Sequence, residues 1–205
     1  MLERKMEWLV SGGLLIAMLG LLTVLVVLPS RPKPLPKLGT MPDFSLTDQN
    51  NQNLSLTSLR GEVLIADVIF TRCAGQCPVM SAHMKSIQDA LPAGKPIKLV
   101  SFTTDPAFDT PAVLKSYAAR FGARDSQWIF LTGSKDALRH ATVDGLKLGV
   151  VDKPPGDRDN AYDLFIHSQK LVVIDQNGEI RGYFDGETDE GPSQALAAAK
   201  SLARP

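Results

Sequence analysis

The sequence lacks an excess of charge of either sign. Its 205 residues include 22 Lys and Arg against 22 Asp and Glu, so the formal net charge is zero. Proteins that hold nucleic acid by its phosphates concentrate Lys and Arg on one face, and this chain contains no such run. We therefore expect no nucleic-acid partner.

Cysteine is also scarce, since the chain contains two. Two cysteines are too few for a disulfide-rich small fold, and too few for a zinc site made of four cysteines. The two thiols can act as a pair, or together with ligands of another type such as histidine.

Charge is absent altogether from residues 8–28, a segment of 21 residues. At about 1.5 Å per residue, a helix of this length spans a hydrocarbon core of roughly 30 Å. The segment is longer than the apolar region of a cleavable signal peptide, and it ends in Pro29 and Ser30 without a small-residue cleavage site. We predict an uncleaved N-terminal transmembrane helix within residues 1–28, whose orientation is not decided by the basic residues on both sides.

Four prolines between positions 29 and 36 favour an extended, polyproline-like linker, predicted at residues 29–41. Residues 42–205 remain, and they are long enough to bury the core of one domain.

Within residues 42–205, apolar segments alternate with turn residues and helix signals. The nearly unbroken apolar run Val63 to Phe70 is typical of a strand covered on both faces. The predicted elements are, in order, an edge hairpin (44–46 and 54–56), the strand 63–70, a helix opened by Pro78, the strand 97–102, a helix starting at Thr110, the strand 128–131, a helix from Ser134 to near Gly149, a hairpin (171–174 and 180–184) and a last helix. This order predicts an α/β fold, a three-layer sandwich of the thioredoxin-like kind.

Cys73 and Cys77 stand at the junction between the central strand and the helix that Pro78 opens. A helix N-terminus presents free backbone N–H groups and a partial positive charge, and Arg72 is adjacent, so we expect the pKa of the thiols to be lowered. If the turn is helical, positions i and i+4 place both sulfur atoms on one face. Thiolates attack disulfides and bind soft metals. An inert disulfide is the alternative, although so short a ring stabilises little.

Asp67 lies six residues before Cys73, inside the predicted buried strand. An unpaired carboxylate there costs several kcal/mol or stays protonated. Thioredoxin-like proteins place a buried acid at this spacing beneath their cysteine pair. A solvated strand end, at which Asp67 caps a neighbouring group, is the alternative.

His167 precedes the last hairpin, which a thioredoxin-like fold places beside the cysteine turn. It is a candidate metal ligand, although a lone histidine is more often a packing or surface residue. His83 and His140 fall inside predicted helices and are interpreted as structural. Met80 and Met84 could offer thioether sulfur to copper, but their spacing is that of a core-facing helix stripe.

Five motifs connect these residues to a known family. They are FTRCAGQCP at 70–78, TTDPAFDTPAVLKSYAARFG at 103–122, FLTGS at 130–134, IHS at 166–168 and IRGYFDG at 180–186. Together they resemble the Sco (SenC) family of copper-binding cytochrome c oxidase assembly proteins, over residues 42 to 186. The resemblance implies copper held by Cys73, Cys77 and His167, and maturation of the binuclear copper centre of cytochrome c oxidase.

The resemblance further implies a membrane-anchored copper metallochaperone that holds Cu(I), Cu(II) or both. Its expected place is the bacterial inner membrane, as a single-pass protein with the domain in the periplasm. Its expected partners are a copper-receiving oxidase subunit and a thiol–disulfide reductant protein that keeps the cysteines reduced. Asp105 of the D-P motif could orient the histidine, or it could form a structural turn or cap.

The alternative function is a membrane-tethered thiol–disulfide reductase, in which Cys73 and Cys77 are a catalytic redox pair acting on the copper-ligand cysteines of a partner. The sequence does not decide whether the protein is an enzyme. A redox or copper sensor is a third candidate function. The C-x-x-x-C spacing, in place of C-x-x-C, and the absence of proline at His167-Ser168 disfavour a general oxidoreductase. Tyr162 stands five residues before His167, one more than in the common family pattern, so the loop is expected to be set differently.

Overall fold

The computed structural model describes Met18, residues 34–158 and residues 164–203. The predicted transmembrane helix falls outside the described residues except for Met18, and Tyr162 falls outside them as well. Among the residues that are described, no helix has the length and apolar character needed to cross a membrane.

A mixed sheet of eight strands forms the centre of the described domain. Its strands in chain order are β1 (Gly39–Thr40), β2 (Ser45–Asp48), β3 (Asn53–Ser55), β4 (Val63–Ile69), β5 (Ile97–Thr103), β6 (Trp128–Thr132), β9 (Lys170–Ile174) and β10 (Glu179–Asp185); two further strands, β7 (Val150–Asp152) and β8 (Phe165–His167), form a separate small sheet. The order across the large sheet is β1-β10-β9-β4-β5-β6-β2-β3. The parallel strands β4, β5 and β6 lie in its middle, and the predicted edge hairpin β2–β3 is confirmed at one edge.

Four α-helices in the described part of the chain cover this sheet. They are α1 (Gln76–Asp89), α2 (Pro111–Arg120), α3 (Lys135–Arg139) and α4 (Glu190–Leu202). The sequence signals for α2 and α3 are confirmed, because the hydroxyl oxygens of Thr110 and Ser134 accept hydrogen bonds from the backbone N–H groups of Val113 and Ala137.

Every residue of β4 is buried, and its side chains alternate between two cores. Ile65 and Ile69 point to a core that includes residues of α1, α2 and α4, whereas Leu64 and Val68 point to a core that includes residues of α3 and the β2–β3 region. Helices therefore pack on both faces of the sheet, which confirms the α/β three-layer architecture.

The segment after β6 differs from the single helix predicted up to Gly149. The α-helix α3 gives way to a π-helix, His140–Gly145, and the chain leaves it before β7 begins. A Cβ on Gly145 would lie 2.8 Å from the sulfur of Met41, so a larger residue there would require the methionine side chain to move.

Part of the predicted linker belongs to the folded domain. Arg181 donates hydrogen bonds to the carbonyl oxygens of Leu35 and Pro36, and β1 pairs antiparallel with β10. The folded domain thus includes Leu35 and Pro36, several residues before position 42, where the sequence prediction starts the domain.

Candidate metal centre

The cysteine turn lies at the carboxyl end of β4, in the middle of the large sheet. The backbone N–H of Cys73 donates to the carbonyl of Phe70 at 3.2 Å, and α1 begins three residues later at Gln76. Both cysteines are free thiols; Cys73 is half-buried and Cys77 is fully buried. Cys73 therefore precedes the helix, while Cys77 is inside its first turn.

His167 reaches this turn from the small β7–β8 sheet, which sequence reasoning missed. Its Nε2 lies 3.3 Å from Sγ of Cys77, and its Nδ1 lies 3.3 Å from the carbonyl oxygen of Ser168. A carbonyl oxygen can only accept a hydrogen bond, so Nδ1 is the donor in the contact with Ser168. The ring of Phe70 meets the imidazole edge to face, with the ring centroids 5.9 Å apart.

The two thiols differ in acidity. A hydrogen bond from Cys77 lowers the pKa of Cys73 to about 4, with smaller contributions from His167 and from the backbone N–H groups of Cys77 and Gly75. The pKa of Cys77 is raised, because this thiol keeps its proton to donate to Cys73 and because it is buried. The pair therefore consists of an accessible thiolate and a buried, protonated thiol at neutral pH.

The sequence predicts that the charge of Arg72 acts on the thiols, but in the structure its guanidinium pairs with Asp105. Its guanidinium donates twice to Oδ2 of Asp105, from Nε at 3.1 Å and from Nη2 at 2.6 Å, and it lies 4.3 Å from the ring centroid of the exposed Phe108. The positive charge is thus neutralised by the buried carboxylate of Asp105. Asp105 holds the residue next to Cys73, and among the described residues no hydrogen bond joins it to His167.

Asp109 is a residue of this site that sequence reasoning missed. It is fully buried and accepts hydrogen bonds from the backbone N–H and the hydroxyl of Thr71, and from the hydroxyl of Thr103. Burial raises its pKa. The carboxyl group ties the start of the cysteine turn to the end of β5. The signal was present in the D-P-x-x-D-T-P motif, of which Asp109 is the second acid.

Asp67 is fully buried in β4, and neither of its carboxylate oxygens has a hydrogen-bond partner among the described residues. Burial raises its pKa to about 6. The nearby Ser101 hydroxyl is outside hydrogen-bonding geometry, but this hydroxyl and His167 partly oppose the rise in the pKa. The alternative of a solvated, capping Asp67 is wrong. The residue is close enough to Cys77 for its charge to raise the pKa of that thiol.

The other residues that the sequence singles out contribute to core packing or lie at the surface. Met80 and Met84 are fully buried in the core beneath α1, which confirms the core interpretation. His83 binds the carbonyl of Gly186 through Nδ1 at 2.7 Å. His140 is exposed and lies 3.5 Å from Asp144 on the π-helix.

The three predicted copper ligands converge on one place, but they do not form a finished site. Within residues 34–158 and 164–203, no three His, Cys, Asp or Glu side chains are arranged to hold a metal ion as they stand. The donor set is nevertheless suited to copper: two sulfur atoms for a soft ion, and a neutral imidazole that is also acceptable to Cu(II).

A protein-family model described as SCO1/SenC matches residues 33–204 of the chain. Among curated proteins, the SCO1 protein homolog of Bacillus subtilis is 33% identical over 160 residues, which cover 77% of this chain and 80% of that protein.

Solved structures of the same family have similar folds. BsSco, a member of the Sco family of cytochrome c oxidase assembly proteins in which a disulfide switch has been identified, superposes with a TM-score of 0.70 at 30% identity, covering 83% of this chain and 98% of that one. Yeast Sco1 with copper bound gives a TM-score of 0.65 at 26% identity, covering 81% of this chain and 90% of that one. The fold is the thioredoxin-like fold of these proteins.

Proposed function

The chain belongs to the SCO1/SenC family, and on this premise we propose that it is a copper metallochaperone for assembly of the binuclear copper centre of cytochrome c oxidase. Cys73, Cys77 and His167 are the proposed ligands of one copper ion, which is the cargo of the protein. The observation that carries the proposal is the contact between Cys77 Sγ and His167 Nε2, beside a thiolate at Cys73.

The donor set can accept copper for a physical reason. Cys73 is already ionised and half-exposed, so it is the thiol available for first contact with an incoming ion. Cys77 gives up its proton before it can bind, since a metal ligand must be the thiolate. His167 supplies the nitrogen that makes the shell mixed.

We further propose that the protein is anchored in the bacterial inner membrane by residues 1–28, with its domain in the periplasm. The support for this part is the length and apolar character of residues 8–28. The proposed partners are a copper-receiving oxidase subunit and a thiol–disulfide reductant protein.

Thiol–disulfide reduction is a second candidate function, and a specific observation favours it. The low pKa of Cys73 next to a protonated Cys77 is the arrangement of an attacking and a resolving thiol. In this reaction the Cys73 thiolate attacks a disulfide of the partner, and Cys77 then resolves the mixed disulfide. The partner is reduced, and the Cys73–Cys77 pair is oxidised.

A transfer experiment separates the two functions. The reduced protein is loaded with one equivalent of Cu(I) under anaerobic conditions and mixed with the copper-free soluble domain that carries the binuclear copper site of an oxidase subunit. The two proteins are then separated, and their copper and thiols are counted. Copper found on the oxidase domain supports the metallochaperone. A second sample contains the same reduced protein without copper and the oxidase domain with its cysteines in a disulfide. If copper stays on this protein in the first sample and the disulfide is reduced in the second, the reductase is the better description.

A further inference from the structure

A pocket of about 560 Å³ lies next to the metal centre but outside it. One wall is the carboxyl end of β5 with the residues that follow, namely Thr103, Thr104 and Pro106. The opposite side is formed by α3, the π-helix and β7. This volume is within the range of about 300–1,000 Å³ that is typical of ligand sites.

Strand β7 borders the pocket, and among the described strands it pairs with β8 alone, which leaves its other edge unpaired within this part of the chain. The carbonyl of Gly149 accepts from the N–H of Ser168, so in an antiparallel pair the backbone groups of Val150 and Asp152 point away from β8. Among the described residues, none forms a hydrogen bond with the backbone groups of Val150 or Asp152. An unpaired strand edge is a template for another strand.

The charges at the pocket favour an acidic partner. Lys135 is paired with Asp152 at 2.5 Å, whereas Arg139 is exposed and has no acidic partner among the residues that the structure describes. The pocket rim therefore has one positive charge that no described acidic residue compensates. Inside the pocket, the hydroxyl groups of Thr103 and Thr142 are already used in hydrogen bonds to Asp109 and to the carbonyl of Leu138, so the remaining lining is mainly apolar.

We propose that the free edge of β7 and this pocket form a docking site for an extended peptide segment of a partner protein. The segment adds a strand to β7, inserts one apolar side chain into the pocket and places a carboxylate against Arg139. Main-chain hydrogen bonds provide part of the affinity in this mode, and the side-chain pocket provides selectivity.

The docking site borders the neighbours of both elements that carry the metal ligands. Val150 is the residue directly opposite His167 in the β7–β8 pair. On the other wall, Thr104 and Pro106 flank Asp105, which holds Arg72 next to Cys73. A segment bound there is therefore in contact with the supports of His167 and of the cysteine turn, and its binding should change the surroundings of His167.

The test uses the full-length, reduced, copper-free protein in lipid nanodiscs. The probes are fluorescein-labelled hexapeptides with the sequence Thr-Val-X-Val-Glu-Thr and an amidated end, in which X is Ala, Val, Leu, Ile, Met or Phe. Binding is measured by fluorescence polarisation. We expect binding by peptides with a large apolar X, and a loss of about fivefold or more in Arg139→Glu. Arg120→Glu, an equal change of charge on α2 away from the pocket, is the matched control and should bind as the unchanged protein does.

Three results would overturn the proposal. The first is that no peptide of the set binds. The second is that peptides with N-methylated alternate amides bind equally well, because they cannot add a strand and would then occupy the pocket as any apolar molecule does. The third is that Arg139→Glu and Arg120→Glu bind alike.

The link to the metal centre has its own readout in the imidazole NMR signals of the same samples. A bound peptide should shift the signal of His167 and leave that of His83 in place, and an unmoved His167 signal would overturn the link. None of these measurements uses copper, so their failure is distinct from a failure of the proposed copper transfer.

Discussion

Sγ of Cys77 and Nε2 of His167 lie 3.3 Å apart, although 90 positions separate the two residues in the chain. One side of this contact is fixed by the turn from β4 into α1. The other is fixed by the pairing of β8 with β7, which places His167 opposite Val150. The contact therefore exists only in the folded domain, and the unfolded chain has no comparable pair of donors.

The acidity of Cys73 should be visible in its rate of alkylation. With a pKa of about 4, the thiol is ionised above about pH 5, so the rate of reaction with iodoacetamide should be nearly constant from pH 5 to pH 8. Cys77→Ala removes the main cause of the low pKa. It should lower the rate at pH 6 by more than about tenfold, because the pKa of Cys73 moves back towards 9.

Cys77→Ser is the matched control for this experiment, because a serine hydroxyl can still donate a hydrogen bond to Cys73. It should keep most of the reactivity at pH 6. Equal rates in the Ala and Ser variants would show that the Cys77 hydrogen bond is not the cause.

Replacement of Asp67 should change how stability depends on pH. The pKa of Asp67 is raised in the folded state, so the folded protein holds this proton up to about pH 6, while the unfolded chain releases it near 3.8. The protonated Asp67 carboxyl therefore contributes to the free energy of unfolding in full below about pH 4, and this contribution is lost as the pH rises to 6. A shift of about two units corresponds to roughly 3 kcal/mol.

Asp67→Asn should therefore be more stable relative to the unchanged protein at pH 7.5 than at pH 3.5, by about that amount. Urea unfolding of both proteins at the two pH values measures the difference. If the difference in the free energy of unfolding between the two proteins is the same at both pH values, Asp67 does not carry the proposed penalty.

Asp109 should be important for stability and for the cysteine turn. Asp109→Asn replaces an acceptor oxygen by an amide group that faces the donors of Thr71 and Thr103. We expect a loss of about 2 kcal/mol, since hydrogen bonds to a charged acceptor contribute about 1.5–3 kcal/mol each. For a domain of this size, the melting temperature should fall by about 4–8 °C.

Asp136→Asn is the control for this loss, since Asp136 is exposed on the first turn of α3. Its melting temperature should change by less than about 2 °C. If Asp109→Asn melts like Asp136→Asn, the hydrogen bonds to Thr71 and Thr103 do not hold the turn.

Much of the fold follows from local signals in the sequence. The apolar run of β4, the Thr110-Pro111 start of α2 and the turn between β9 and β10 each depend on neighbouring residues, and the structure has them where they were predicted. The β7–β8 sheet could not be foreseen, because its strands have three residues each and 12 residues separate them. Short strands of this kind are decided by tertiary pairing.

The site shows the same division. Cys73 and Cys77 were found from their position between a strand and a helix, whereas His167 was singled out with support from the family resemblance. The partner of Arg72 depends on packing between distant segments. Because Arg72 is next to Cys73 in the sequence, its charge is predicted to act on the thiols. In the structure the guanidinium instead forms an ion pair with Asp105.

The central claim is that His167 completes a copper site with the two cysteines. The most direct measurement is an anaerobic Cu(I) titration of the reduced, full-length protein, with a competing chelator to report affinity, for the unchanged protein, His167→Ala and His140→Ala. His140 is the matched control, since it is exposed on the π-helix.

Loss of a group that merely supports a ligand costs about 10–100-fold in metal affinity, so loss of the ligand itself should cost at least about 100-fold. We expect one copper per chain, bound with equal affinity in His140→Ala and at least 100-fold more weakly in His167→Ala. Equal copper affinity in all three proteins would contradict the three-ligand site.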